Sequence, residues 1–189
     1  MSPEISTATP LEIASLWRLG FLSGDDVAAV CLLWLERDLN RGDSDIAAFA
    51  DEKGLVLEEI APAFERVLKS LNGRAMERTE AMLRALRWSL ASAMAGDDLV
   101  LRVEQLIDRF RDLSENRLVR HPRRIQDRPD EVYAGQNLGL EYVYGGFYAF
   151  DDIAHLETKK RSGAERRLLS NLRQSVQELH TVLTAMLAE

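Results

Sequence analysis

One cysteine among 189 residues leaves no intrachain disulfide to form, so covalent cross-linking is excluded as a source of stability. That thiol, Cys31, lies in the apolar run "VAAVCLLWL", where a buried and inert group is expected rather than a reactive one. The run is the longest apolar stretch in the chain, and nine residues are too few to cross a bilayer. The opening "MSPEISTATP" has neither the basic flank nor the apolar core of a secretion signal. Sparse cysteine and no leader give the expectation of a cytoplasmic protein. The sequence also lacks the motifs that carry common chemistries. There is no GxGxxG or GxxxxGK[ST] to cradle phosphate, no CxxC or HExxH to hold zinc, and no GxSxG elbow to present a nucleophile. The three histidines, His121, His155 and His180, form no ExxH pair of the di-iron kind. No catalytic residue, metal or cofactor is expected.

What is present is charge, unevenly spread. The net charge is -7, and all of the imbalance lies in residues 1–72, which hold thirteen acids and six bases. An acidic balance argues against nucleic acid, whose phosphates demand Lys and Arg. The basic run from Arg117 to Arg128 has no supporting fold motif, and pairing with the chain's own acids or a mobile loop is the simpler reading.

Helix punctuation is legible over most of the chain. "TPLE" sets Thr9 as N-cap, Pro10 in the first helical position and Glu12 in the capping-box position, and Gly20 closes that helix. "SGDD" opens the next at Ser23, and apolar residues around nearly its whole circumference predict a central helix. A cap at Asp43 or Ser44 and a stop at Gly54 bound a short third helix. Stripes follow at Ile60, Phe64, Val67, Leu68 and Leu71, and at Leu99, Val103, Leu106, Ile107 and Phe110. Between them a longer helix ends at Gly96. A last, long helix is expected from a capping box at Ser162 and Glu165, with its stripe running from Leu168 to Met186. The paired carboxylates Asp25-Asp26, Glu58-Glu59 and Asp97-Asp98 fall near helix starts, where capping and the helix dipole account for them. The fold class is therefore mainly all-α, a single-domain bundle of about six to eight helices over 1–189. An irregular basic and aromatic insertion interrupts it at about 114–161.

The insertion ends in "LEYVYGGFYAF". Read as strands, "LEYVY" and "FYAFD" flank a Gly-Gly turn and form a small hairpin near 140–150. Read as a helix, Leu140, Val143, Phe147, Phe150 and Ala154 share a face, and two glycines cost about 2 kcal/mol against alanine. Of the two, the hairpin is preferred. All four tyrosines, Tyr133, Tyr142, Tyr144 and Tyr148, fall in this window. Tyrosine suits a place where one end is dry and the other wet, as at an interface, and a cluster of this kind is equally at home in a core.

"IASLWRLGFLSGDDVAAVCLLWLERD", Ile13 to Asp38, and "LRVEQLIDRFRDLSENRLVRHP", Leu101 to Pro122, resemble a family of bacterial helical domains associated with immunity proteins of polymorphic toxin systems. The resemblance covers about a third of the chain and carries over no functional residue. It implies a helical protein whose partner is a cognate protein toxin. With the localised acidity, it gives a candidate surface for a basic toxin at Asp43, Asp45, Asp51, Glu52, Glu58 and Glu59, with Asp45 and Glu52 expected to be exposed. Tyr142, Tyr144 and Tyr148 are the candidate anchors, with Phe147 and Phe150 fixing the segment to the bundle. The alternative is a small-molecule or enzymatic pocket lined by the aromatics and by Asp151, Asp152 and His155.

Overall fold

The computed structural model describes residues 5–39, 42–52, 54–72, 74–110 and 140–188. Among them are a single 3₁₀ turn, Ile5–Thr7, and eight α-helices, with no strand. The helices are α1 (Pro10–Arg18), α2 (Gly24–Glu36), α3 (Ser44–Asp51), α4 (Leu57–Asn72), α5 (Arg78–Ala95), α6 (Leu99–Phe110), α7 (Leu140–Asp152) and α8 (Thr158–Leu187). The chain divides into two compact units, Met1–Ala85 and Leu86–Glu189, with the division falling inside α5. No helix among the described residues is long and apolar enough to cross a membrane.

In the first unit, local chemistry sets the helix ends. At α1 the Thr9 hydroxyl accepts from the Glu12 backbone N–H at 3.3 Å, and the Glu12 carboxylate accepts from the Thr9 N–H at 2.8 Å. Ser23 and Asp26 repeat the arrangement at α2, at 3.2 and 3.1 Å. Asp43 caps α3 by accepting from the Asp45 N–H at 2.9 Å. The far ends of α1 and α2 close in the same way. Gly20 N–H donates to Trp17 and Phe21 N–H to Leu16, while Asp38 N–H donates to Leu35 and Leu39 N–H to Trp34. Each turn needs a left-handed residue. Gly20 adopts φ 74° without cost, whereas Asp38 holds φ 56° with a side chain attached.

The core of this unit centres on Phe64 of α4, which is fully buried. Trp17 from α1 meets its ring edge-on at 4.9 Å, Trp34 from α2 stacks on it at 6.1 Å, and Phe49 from α3 meets it edge-on at 6.2 Å. One ring thus ties four helices together. Helix α2 packs against α3, and its N-terminus comes so close to the α3–α4 connection that a Cβ on Gly24 would overlap the Leu55 carbonyl oxygen. It is not buried on all sides: Val27, Val30, Cys31 and Trp34 are buried, but Leu32 is 48% exposed. Ala28, Ala29, Leu33 and Leu35 are half-buried, so the apolar circumference expected of a central helix is covered only in part.

In the second unit, packing along the sides dominates. The whole α6 stripe, Leu99, Val103, Leu106, Ile107 and Phe110, is buried as its period predicts. Leu172, Val176, Leu179 and Leu183 of α8 are buried, while Leu169 is exposed. Helix α8 starts at Thr158, ahead of the expected box, and its N-cap Glu157 makes no side-chain capping bond. Glu165 instead accepts from the Arg161 guanidinium at 2.8 Å, one turn back along a helix already under way.

The hairpin expected near 140–150 is a helix. Leu140 and Val143 are both fully buried, and residues three apart share a helical face but lie on opposite faces of a strand. Gly146 allows the close approach of α7 to α8, since a Cβ there would lie 3.3 Å from Leu172 Cδ1 and 3.6 Å from its Cα. Burying two branched side chains at about 1.5–3 kcal/mol each outweighs the intrinsic cost of the glycines. The irregular insertion at 114–161 is likewise corrected for its second part, where 140–161 belongs to α7, α8 and the turn between them. The Arg117–Arg128 run and Tyr133 lie outside the described residues.

Candidate functional site

The six acids proposed for a partner surface lie in the first unit and divide by what each does for the fold. Asp43 is committed to its cap. Asp45, expected to be exposed, is half-buried and accepts from the Arg66 guanidinium at 3.2 Å, and Arg66 is held in turn by the Pro62 carbonyl at 3.1 Å. Glu58 and Glu59 are exposed in the first turn of α4, where the helix dipole favours them. Asp51 and Glu52 are different. They are exposed at the C-terminal end of α3, where the dipole disfavours negative charge and no basic residue occupies the last turn. Nothing in the described fold gains from their charge.

The tyrosines lie in the second unit. Tyr142 is 70% exposed and Tyr148 50%, and between them on the same side of α7 is Gly145, also exposed. A Cβ on Gly145 would meet nothing within 4 Å. This glycine, unlike Gly146 beside it, is not required by packing, and it leaves a notch in an open helix face between two rings. Phe147 supports the notch from the side, its ring edge-on to Tyr148 at 5.3 Å. Phe147 and Phe150 are half-buried. Tyr144 points elsewhere: it is half-buried and its hydroxyl is buried, so it does not share the open face.

Asp151, Asp152 and His155 stand exposed at and beyond the end of α7. Among the described residues no group of three or more His, Cys, Asp or Glu side chains is placed to hold a metal ion. Burial pushes the Cys31 thiol up to about 12, with Asp43 adding to the effect, so the group is a packed neutral side chain. His180, partly buried on α8, is held below its ordinary value by desolvation and then by the positive charge of Arg87. Arg109 lies over the Trp88 ring at 5.6 Å and donates to the Ser89 hydroxyl at 3.1 Å, which gives a cation in the second unit both an aromatic face and a hydrogen bond.

A feature that sequence reasoning missed is a groove of about 350 Å³ in the first unit, between α1, α4 and the segment before α5. Trp17, Leu68 and Met76 line it, with Arg18, Arg66, Lys69 and Arg74 among the polar residues around it. Arg74 donates to both oxygens of Glu80 at 2.6 Å, and Arg84 donates to Glu80 at 2.7 Å. Burial works to raise the Glu80 carboxyl, and these two guanidinium bonds outweigh it, so the group is held below the usual carboxylate range. The signal available beforehand was the placement of bases: three of the six in residues 1–72 line this groove. Compared with family models, curated proteins and solved structures, the chain matches none.

Proposed function

We propose that this is a non-enzymatic binding protein that holds a protein partner against the exposed face of α7. The observation that carries the reading is the juxtaposition of Tyr142, Gly145 and Tyr148. Two large amphipathic rings are left in solvent, and the residue between them is a glycine that costs the helix about 1 kcal/mol and fills no packing need. Exposed tyrosines flanking a site of close backbone approach suit an anchor for a partner segment. Asp51 and Glu52, whose charge opposes the α3 dipole, are suited to steering a basic partner. The resemblance of Ile13–Asp38 and Leu101–Pro122 to immunity-associated domains supports a more specific identity. On that basis the partner is a cognate bacterial toxin, neutralised in the cytoplasm by binding rather than by chemistry.

The test is binding kinetics against the product of the adjacent gene. Tyr142→Ala and Tyr148→Ala should speed dissociation, each costing about 2 kcal/mol of binding, while the melt stays unchanged for Tyr142 and shifts only by the lost Phe147 contact for Tyr148. Asp51→Lys and Glu52→Lys should slow association at low salt and leave dissociation alone. Normal kinetics in the tyrosine variants would remove the α7 face from any interface.

A further inference from the structure

The groove beside Trp17 has a character that its surroundings do not share. Residues 1–72 carry thirteen acids and six bases, yet here four cations, Arg18, Arg66, Lys69 and Arg74, stand around one hollow against two carboxylates, Glu65 and Glu77. Arg66 and Arg74 are held by Asp45 and Glu80. Arg18 and Lys69 make no ion pair among the described residues, and Lys69 leaves even Glu65, one turn back, unpaired with it. Each occupies the last turn of its helix, α1 and α4, where the dipole welcomes a cation. That accounts for a positive charge near each helix end. It does not account for the apolar hollow beside them, lined by Ala14, Leu68 and Met76, all buried, and by the partly exposed Trp17. Trp17 is fixed at this position by its edge-on contact with Phe64.

We propose that this groove binds a small amphipathic anion, a carboxylate carried on a short apolar body. The apolar body lies against Trp17, Leu68 and Met76, and the carboxylate is held at the basic rim by Arg18 and Lys69. The volume, about 350 Å³, falls within the range of small-molecule sites and is too small to enclose an element of a folded partner. An apolar lining with a few charged groups at one side is the usual construction of such a site, in which the lining supplies affinity and the charges fix orientation. This site lies in the first unit and does not depend on the α7 surface.

Decanoate, kept below its micelle concentration, is a suitable probe, followed by the indole N–H signals of ¹⁵N-labelled protein. The three tryptophans serve as internal controls, because Trp34 and Trp88 are buried and Trp17 is not. Loss of one signal in Trp17→Phe assigns the reporter. The expected result is a saturable shift of the Trp17 signal, larger than those of the other two. Binding should weaken by at least about tenfold in Arg18→Gln/Lys69→Gln, with an unchanged thermal melt. Decyltrimethylammonium, of equal chain length and opposite charge, should not produce the shift. The proposal is overturned by an absent or non-saturable shift, by an equal response to the cation, or by undiminished decanoate binding in the double variant. A response to a glutamate-rich peptide without one to decanoate would overturn it in favour of an acidic protein segment.

Discussion

At the start of α1, one hydroxyl and one carboxylate satisfy two backbone donors within four residues. At the start of α8, Glu157 offers no such bond, and the thirty-residue helix that follows is held by Leu172, Val176, Leu179 and Leu183 along its flank. The two units lean in these different directions, although Asp98 also caps α6 of the second by accepting from the Leu101 N–H at 3.0 Å. In the first, short helices are stopped and started by side-chain caps and left-handed residues, and their sides converge on the ring of Phe64. In the second, α7 carries two glycines in its interior and persists because Leu140 and Val143 are buried and Gly146 lets α8 approach. Short helices have few turns to pack, so their ends carry a larger share of the specification. Long helices can neglect their ends because the stripe repeats.

The largest expected effect follows from the convergence on one ring. Phe64→Ala removes the shared contact of Trp17, Trp34 and Phe49 and should cost about 3–5 kcal/mol in denaturant unfolding. A loss under about 1 kcal/mol would mean that the four helices are not organised by that ring. Next comes a contrast between glycines. Gly24→Ala must displace the Leu55 backbone and should destabilise by about 1–3 kcal/mol or more, whereas Gly145→Ala meets open space and should stabilise by about 1 kcal/mol. The same substitution thus has opposite signs in the two units, and equal signs would break the comparison.

Capping gives a smaller, symmetrical pair. Ser23→Ala should cost about 1 kcal/mol by removing the box at α2, and Glu157→Ser should recover a few tenths at α8 by supplying the missing cap. Melting curves of the two variants test both. The smallest effect is a pH slope from His180. Its folded-state value lies below the ordinary 6.5, so the unfolded chain takes up the proton first. Stability should therefore fall as pH drops through 6.5 toward the folded value and be flat above it. His180→Gln should flatten that part of the stability profile.

The same physics explains which features could be read in advance. The box at Thr9 and the cap at Ser23 were legible, and Asp43 was one of two caps the sequence offered for α3, because every partner lies within three residues. The five buried positions of α6 were legible because period alone determines them. Helix α7 was not, since the decisive contact of Gly146 is with Leu172, far along the chain, and a Gly-Gly pair between aromatics satisfies hairpin rules equally well. The Ser162–Glu165 box failed for a related reason: a helix already propagating from Thr158 has no orphan donors there to cap. Among the candidate surface residues Glu52 is exposed as expected, while two engagements depend on contacts that the local sequence does not show. Asp45 is drawn to Arg66 twenty-one residues away, and Tyr144 turns its hydroxyl inward. The groove beside Trp17 needs α1, α4 and the segment before α5 assembled before its bases share a rim.

The burial of Cys31 gives the chain a built-in clock. The thiol has no exposed surface and sits on α2, against the packing that defines the first unit. A disulfide reagent in solution can reach it only while that unit is open. When reclosing outpaces modification, the labelling rate is the intrinsic thiol rate multiplied by the fraction open, so its logarithm measures the opening free energy directly under native conditions. With no other cysteine in the sequence, the signal belongs to one helix alone. A partner gripping any element that must move for α2 to be exposed would slow the clock in proportion to its occupancy, which turns a single inert side chain into a readout of linkage between folding and binding.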